Sequence, residues 1–188
     1  MIEKVLTSRE DGIFYRITGS GEPVVLVHGF GEDRSIWDTL VDDLKNQFQF
    51  ILPDLPGSGK SIMKKGDWSI DGLAGSIAAI FDHEKITVAT MIGHSMGGFI
   101  SLAFAEKYPD RVSGLGLFHS SAFPDTEEKK ITRKRGIQFI EEHGQAKFLE
   151  QATPNLFSRS FKEQHPDAVN EIIDRYTNFQ DTALVHYY

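Results

Sequence analysis

The stretch Gly93-His94-Ser95-Met96-Gly97 decides how this chain reads. Before it lies the run Ile86-Thr87-Val88-Ala89-Thr90-Met91-Ile92, rich in β-branched residues and short enough for a buried strand. After it, Gly98-Phe99-Ile100-Ser101-Leu102-Ala103-Phe104-Ala105 continues into Glu106-Lys107-Tyr108 and stops at Pro109, as a buried helix does. A serine caught in G-x-S-x-G between a strand and a helix occupies a turn sharp enough to strain its own backbone. Glycines two residues before and two after remove the Cβ atoms that would collide there. The pattern sets Ser95 Oγ above the sheet, open to a substrate. Ser95 reads as a catalytic serine.

Outward from that turn, strands and helices alternate. Residues 3–18 predict two short strands joined at Asp11-Gly12, a dipeptide suited to a tight hairpin. Pro23-Val24-Val25-Leu26-Val27 is apolar throughout, as a strand covered on both faces is. It runs into the glycine-rich loop His28-Gly29-Phe30-Gly31-Glu32-Asp33, where Asp33 or Ser35 can cap a helix reaching Lys45. Ile36, Trp37, Leu40, Val41 and Leu44 then recur at helical spacing. Phe48–Leu52 predicts the next strand, residues 69–83 a helix with Ile70, Leu73, Ile77, Ile80 and Phe81 on one face, and Val112–Phe118 a last strand. The fold class is α/β, a mostly parallel sheet flanked by helices. Residues 1–121 form this core, and 122–188 carry only helical patterns, as expected of an all-helical lid. The charge run from Thr126 to Glu142 reads as a solvated helix face.

Composition narrows the function classes. A chain of 188 residues, 40% hydrophobic and 25% charged, is long enough for a substantial core. A net charge of −7 disfavours nucleic acid and anionic membranes as partners. Without cysteine there is no disulfide framework and no thiolate chemistry. Met1-Ile2-Glu3-Lys4-Val5 has no cationic segment followed by a long apolar one, so the reading is a soluble, cytoplasmic protein without a signal peptide. No apolar run approaches the roughly 18–20 residues that span a bilayer.

Three motifs, each at the carboxyl end of an expected strand, resemble the α/β-hydrolase superfamily. They are His28-Gly29-Phe30-Gly31, Asp54-Leu55-Pro56-Gly57-Ser58-Gly59-Lys60-Ser61, and Gly93-His94-Ser95-Met96-Gly97-Gly98. The likeness is close over roughly residues 1–120. It implies a serine hydrolase of the esterase or lipase type, acting on a small-molecule acyl substrate without cofactor or metal. Ser95 would attack the carbonyl, and the backbone N–H groups of Phe30 and Met96 would hold the oxyanion. His28 and Gly29 would shape the loop, with His94 and His119 beside the pocket. Relatives with an aspartate in place of Ser95, the epoxide and haloalkane hydrolases, are set aside. Cofactor-free haloperoxidases, C–C-bond hydrolases, aminopeptidases and non-catalytic binding proteins of the same fold remain as alternatives.

Two decoys fail on chemistry. Residues 54–61 nearly spell a phosphate-binding loop, but Asp54 stands where glycine is required and no helix pattern follows Ser61. His28 and Asp33 lack the companion ligands of a zinc site. The family's histidine and acid, which follow later strands, have no counterpart among the remaining residues. Asp125, placed where some relatives carry an early acid, reads as a charged turn residue. The expectation is a truncated hydrolase whose base and acid lie in a missing C-terminal segment, or in a swapped copy that also covers the apolar edge left at Val112–Phe118.

Overall fold

The computed structural model describes residues 2–8, 11–62, 65–176 and 182–188. They divide into two compact units, Met1–Pro124 and Asp125–Tyr188. The first holds a six-stranded sheet of β1 (Ile2–Ser8), β2 (Asp11–Gly19), β3 (Glu22–Val27), β4 (Phe48–Pro53), β5 (Ala89–His94) and β6 (Val112–Phe118), in the order β1-β2-β4-β3-β5-β6. β4, β3, β5 and β6 run parallel, while β2 is antiparallel to both β1 and β4. The helices of this unit are α1 (Asp38–Leu44), α2 (Ile70–Glu84) and α3 (Met96–Lys107).

The two-residue period of the strands sorts the core onto two faces. Val24, Leu26, Phe50 and Leu52 pack on one face with Trp37 and Val41, and Ile36 and Leu44 close around them. The alternate residues Val25, Ile51 and Met91 are fully buried on the other face. There α3 lies on β3 and β5 and packs beside α2, with the Phe81 and Phe104 rings 5.0 Å apart. Leu40, expected on the apolar face of α1, is 42% exposed. A 3-10 turn over Arg34–Trp37, capped by Asp33, precedes α1 and shifts its helical phase.

Two boundaries differ from expectation. Asp11 and Gly12 are not a turn. They pair with Ser8 and Thr7, and Gly12 also exchanges backbone hydrogen bonds with Ile62 (3.0 and 2.9 Å). The link between β1 and β2 at residues 9–10 lies outside the described residues. The strand before Ser95 begins at Ala89, three residues later than its β-branched run. Lys85 ends α2 in a left-handed conformation (φ 57°), and Ile86 N–H returns to Phe81 O. Residues 86–88 are used leaving that cap.

Tyr15 on β2 donates its hydroxyl proton to Glu84 at the end of α2, and Lys4 Nζ lies 2.5 Å from the same carboxylate. Burial acts to raise the Glu84 carboxyl, but the bonds from Lys4 and Tyr15 outweigh it and hold it below its usual value. Burial, then the neighbouring carboxylate, pushes the Tyr15 phenol well above its usual value. The stabilisation from neutral Tyr15 is therefore complete below pH ~10 and lost as pH climbs toward the raised value. Urea midpoints between pH 8 and 11 are expected to fall above pH ~10 in the natural chain. In Tyr15→Phe they start lower, reflecting the loss of a bond to a charged group worth roughly 2 kcal/mol, and fall less steeply above pH ~10.

The elements of the second unit are all helical among its described residues: α4 (Glu127–His143), α5 (Gln145–Ala152), a 3-10 turn (Thr153–Leu156), α6 (Arg159–Gln164), α7 (Pro166–Tyr176) and α8 (Ala183–Tyr187). Phe139 packs on Phe148, Phe148 on Tyr188, and Phe157 on Phe161. Gly136 of α4 admits the Tyr188 ring, since a Cβ there would lie 2.6 Å from Tyr188 Cε2. The helical pattern expected from Asp181 to the end begins at a position outside the described residues. Among the described residues no helix is long and apolar enough to cross a membrane.

Candidate active site

Because β4, β3, β5 and β6 are parallel, the segments after them emerge along one edge of the sheet. That edge is where open α/β sheets bind their ligands. It gathers residues 28–33, 54–61, 95–97 and 119–120.

Ser95 joins β5 to α3 at φ 50°, ψ −114°, a conformation costly for any residue bearing a Cβ. Its backbone is held from β6 and the residues just after it: Ser95 N–H donates to Phe118 O (3.0 Å), and Ser120 Oγ donates to Ser95 O (2.7 Å). The flanking glycines are required by space. A Cβ at Gly93 would lie 2.1 Å from Gly97 O, and one at Gly97 would lie 2.4 Å from Val27 O. Met96 is the first residue of α3, so its N–H has no acceptor within the helix and belongs to the positive end of the helix dipole.

The loop after β3 is locked from two sides. His28 is fully buried and uses both ring nitrogens on backbone: Nδ1 donates to Gly29 O (2.9 Å), and Nε2 accepts from Leu55 N–H (2.9 Å). An N–H can only donate, so the proton of His28 resides on Nδ1. His28 ties the loop after β3 to the loop after β4. On the other side, buried Glu32 accepts the Gly29 N–H at Oε2 (2.8 Å) and the Nδ1–H of His94 at the same oxygen (2.8 Å). Gly31 takes a positive φ of 70° within this loop, beside Phe30.

The loop after β4 is organised by Asp54, which is fully buried. Its carboxylate accepts from the Arg34 guanidinium, from Arg34 N–H (3.0 Å) and from Lys60 N–H (2.9 Å). Ser61 Oγ donates to Asp54 O and accepts Phe14 N–H, both at 2.7 Å. Lys60 Nζ turns to Glu3 (2.9 Å) and to the Phe14 ring, 4.7 Å from its centroid. The bonds from Lys60 and Arg34 hold the Glu3 carboxyl below its usual value. This loop is closed on its own side chains, and Ile62 leads into the bridge to Gly12.

Around the turn, His94 meets Trp37 edge-on (6.4 Å), Phe118 (5.8 Å) and His119 (6.3 Å). His119 holds a positive φ of 47° just beyond β6. Ser95, Met96, His94, Gly29, His28 and His119 are thus brought to the same sheet edge as Phe30. Asp125 belongs to the second unit, where Arg133 Nε binds it at 2.5 Å and holds its carboxyl below the usual range. Sequence reasoning singles out neither Glu32 nor Ser120. Glu32 carries a weak signal, an acid inside a glycine loop after an apolar strand, whereas Ser120 is known only from its contact with Ser95. Among the described residues no three His, Asp or Glu side chains gather as a metal would require.

The geometry has many relatives. A model of the alpha/beta hydrolase fold matches residues 22–162. The chain superposes on an esterase from Thermogutta terrifontis with a TM-score of 0.87 at 29% identity, over 99% of this chain and 70% of that one. An enol-lactonase from Burkholderia xenovorans LB400 gives 0.85 at 25% identity, over 98% and 71%. In sequence, the chain is 37% identical over 109 residues to a pimeloyl-[acyl-carrier protein] methyl ester esterase of Wigglesworthia glossinidia brevipalpis, covering 57% of this chain and 40% of that protein. Across eight curated relatives it spans between 27% and 43% of their length. With three motif loops at one sheet edge and a matching model over most of its length, the chain belongs to the α/β hydrolase fold family.

Proposed function

We propose that this chain carries the nucleophile and oxyanion hole of a serine hydrolase that cleaves an ester or related acyl bond. The observation that carries the reading is the backbone of Ser95, strained at φ 50° between glycines whose Cβ atoms would strike neighbouring backbone. Strain of this kind persists only where the surrounding structure enforces it, and it concentrates at functional sites. In this reading the general base takes the Ser95 hydroxyl proton as Oγ bonds to the acyl carbon. The carbonyl oxygen becomes an oxyanion accepting from the N–H groups of Met96 and Phe30; its collapse breaks the bond to the alcohol, which leaves with the proton taken from Ser95, and water deprotonated by the same base then releases the acid from the acyl-serine.

The base and its acid are proposed to come from residues beyond 188. His28 cannot serve, because both its ring nitrogens are committed to backbone. His94 gives Nδ1 to Glu32. β6 ends the sheet with Leu115 43%, Leu117 38% and Phe118 51% exposed, an edge suited to further strands. Resemblance to an esterase and an enol-lactonase supports acyl chemistry; the acyl chain itself is the open variable.

Hydrolysis of a p-nitrophenyl ester series by the natural protein tests this. Turnover is expected for at least one chain length, and Ser95→Ala is expected to lower kcat by about 10⁶. Equal turnover in the variant would remove the reading. Residues 1–188 alone are expected to turn over very slowly, as a serine without its base does.

A further inference from the structure

Glu32 is an acid in a place where charge needs a reason. It is 8% exposed, and its Oε2 takes two bonds from opposite sides, Gly29 N–H from the loop after β3 and His94 Nδ1–H from the end of β5. The fit around it is close. A Cβ at Gly29 would lie 3.0 Å from Glu32 Oε2, 3.0 Å from His94 Nδ1 and 3.2 Å from His94 O. His94 cannot swing away freely, because Trp37 and Phe118 lie against it. Residues 29 and 94 each stand one position before a residue of the proposed chemistry, Phe30 and Ser95.

We propose that Glu32 is a positioning residue that fastens the loop bearing the Phe30 N–H to the turn bearing Ser95. Resting on the reading of Ser95 as nucleophile, it sets the distance between the attacking oxygen and one oxyanion donor. The bond pattern assigns the work to one oxygen atom rather than to the charge. A glutamine carbonyl at the same point has two lone pairs and can accept both bonds. An aspartate is one methylene too short, and an alanine leaves Gly29 N–H and His94 without their shared acceptor.

Glu32→Ala, Glu32→Asp and Glu32→Gln in the natural protein separate these possibilities. Displacing a catalytic group by about 1 Å can cost roughly 10² in rate. Glu32→Ala and Glu32→Asp are therefore expected to lose about 100-fold in kcat with KM unchanged, and Glu32→Gln to stay within about threefold of the parent. Amide exchange should accelerate at Gly29 in the alanine variant and remain slow in the glutamine variant. Parent-like kcat in a folded Glu32→Ala protein overturns the proposal. So does a loss in Glu32→Gln as large as that in Glu32→Asp, which assigns the role to charge; this comparison stands even if the alanine variant does not fold. A parent protein that neither turns over esters nor reacts with a fluorophosphonate overturns the hydrolase reading instead, so the two failures are distinct.

Discussion

Replacing Gly93 by alanine is expected to destabilise the first unit by at least ~3 kcal/mol, the upper end of what overpacking costs. The added Cβ would stand 2.1 Å from Gly97 O, 2.2 Å from Gly97 C and 2.4 Å from Gly98 N. All three are backbone atoms at the start of α3, so no side chain can rotate out of the way. Relief requires moving the helix off the strand, and Gly97 resists this because Val27 O and His28 O crowd it from behind. Gly75, midway along α2, is the control, with nothing within 4 Å of a Cβ placed there. Gly75→Ala should stabilise by roughly 0.5–1 kcal/mol through helix propensity alone. Urea denaturation of both variants measures the contrast, and equal effects at the two positions would contradict the packing account.

Asp54→Ala is the second large effect. The Asp54 side chain is fully buried and the Arg34 side chain nearly so, at 11% exposure. Removing one partner of a buried pair typically costs roughly 3–5 kcal/mol, because the remaining charge is left uncompensated. Arg34 keeps Glu3 at 2.7 Å, which places the expected loss near the lower figure, about 3 kcal/mol. The variant also frees Arg34 N–H and Lys60 N–H, so the loop should loosen as a unit. A melting temperature lower by about 10 °C is expected. Arg34→Met with Asp54→Leu, which removes both charges, should recover much of it. A folded Asp54→Ala protein within 1–2 °C of the parent would refute the structural role given to this residue.

The sequence made the turn at Ser95 readable because its constraint is local. Glycine spacing, an apolar strand and an apolar helix all fall within about twenty residues. The alternation of the inner strands was legible for the same reason, since the period of each element is written in its own residues. The hairpin was misplaced because Gly12 serves a distant partner, Ile62, and no short-range pattern records that pairing. The start of β5 was misplaced because Lys85 adopts a left-handed cap without being glycine. The clamp on the site was illegible in full. Glu32 meets His94 across 62 positions and Ser120 meets Ser95 across 25, contacts created only when the sheet brings its loops together. His28 shows the reverse case: its place in the glycine loop predicts a structural role, and its two backbone bonds give that role a mechanism.

If the strained serine is a nucleophile, covalent labelling reads it directly. The natural protein treated with a fluorophosphonate and examined by intact mass and peptide mapping should carry one adduct, on Ser95. Ser95→Ala should carry none while keeping the parent's melting temperature. A correctly folded protein that remains unlabelled, or a label that persists in Ser95→Ala, would mean that Ser95 is not the nucleophile.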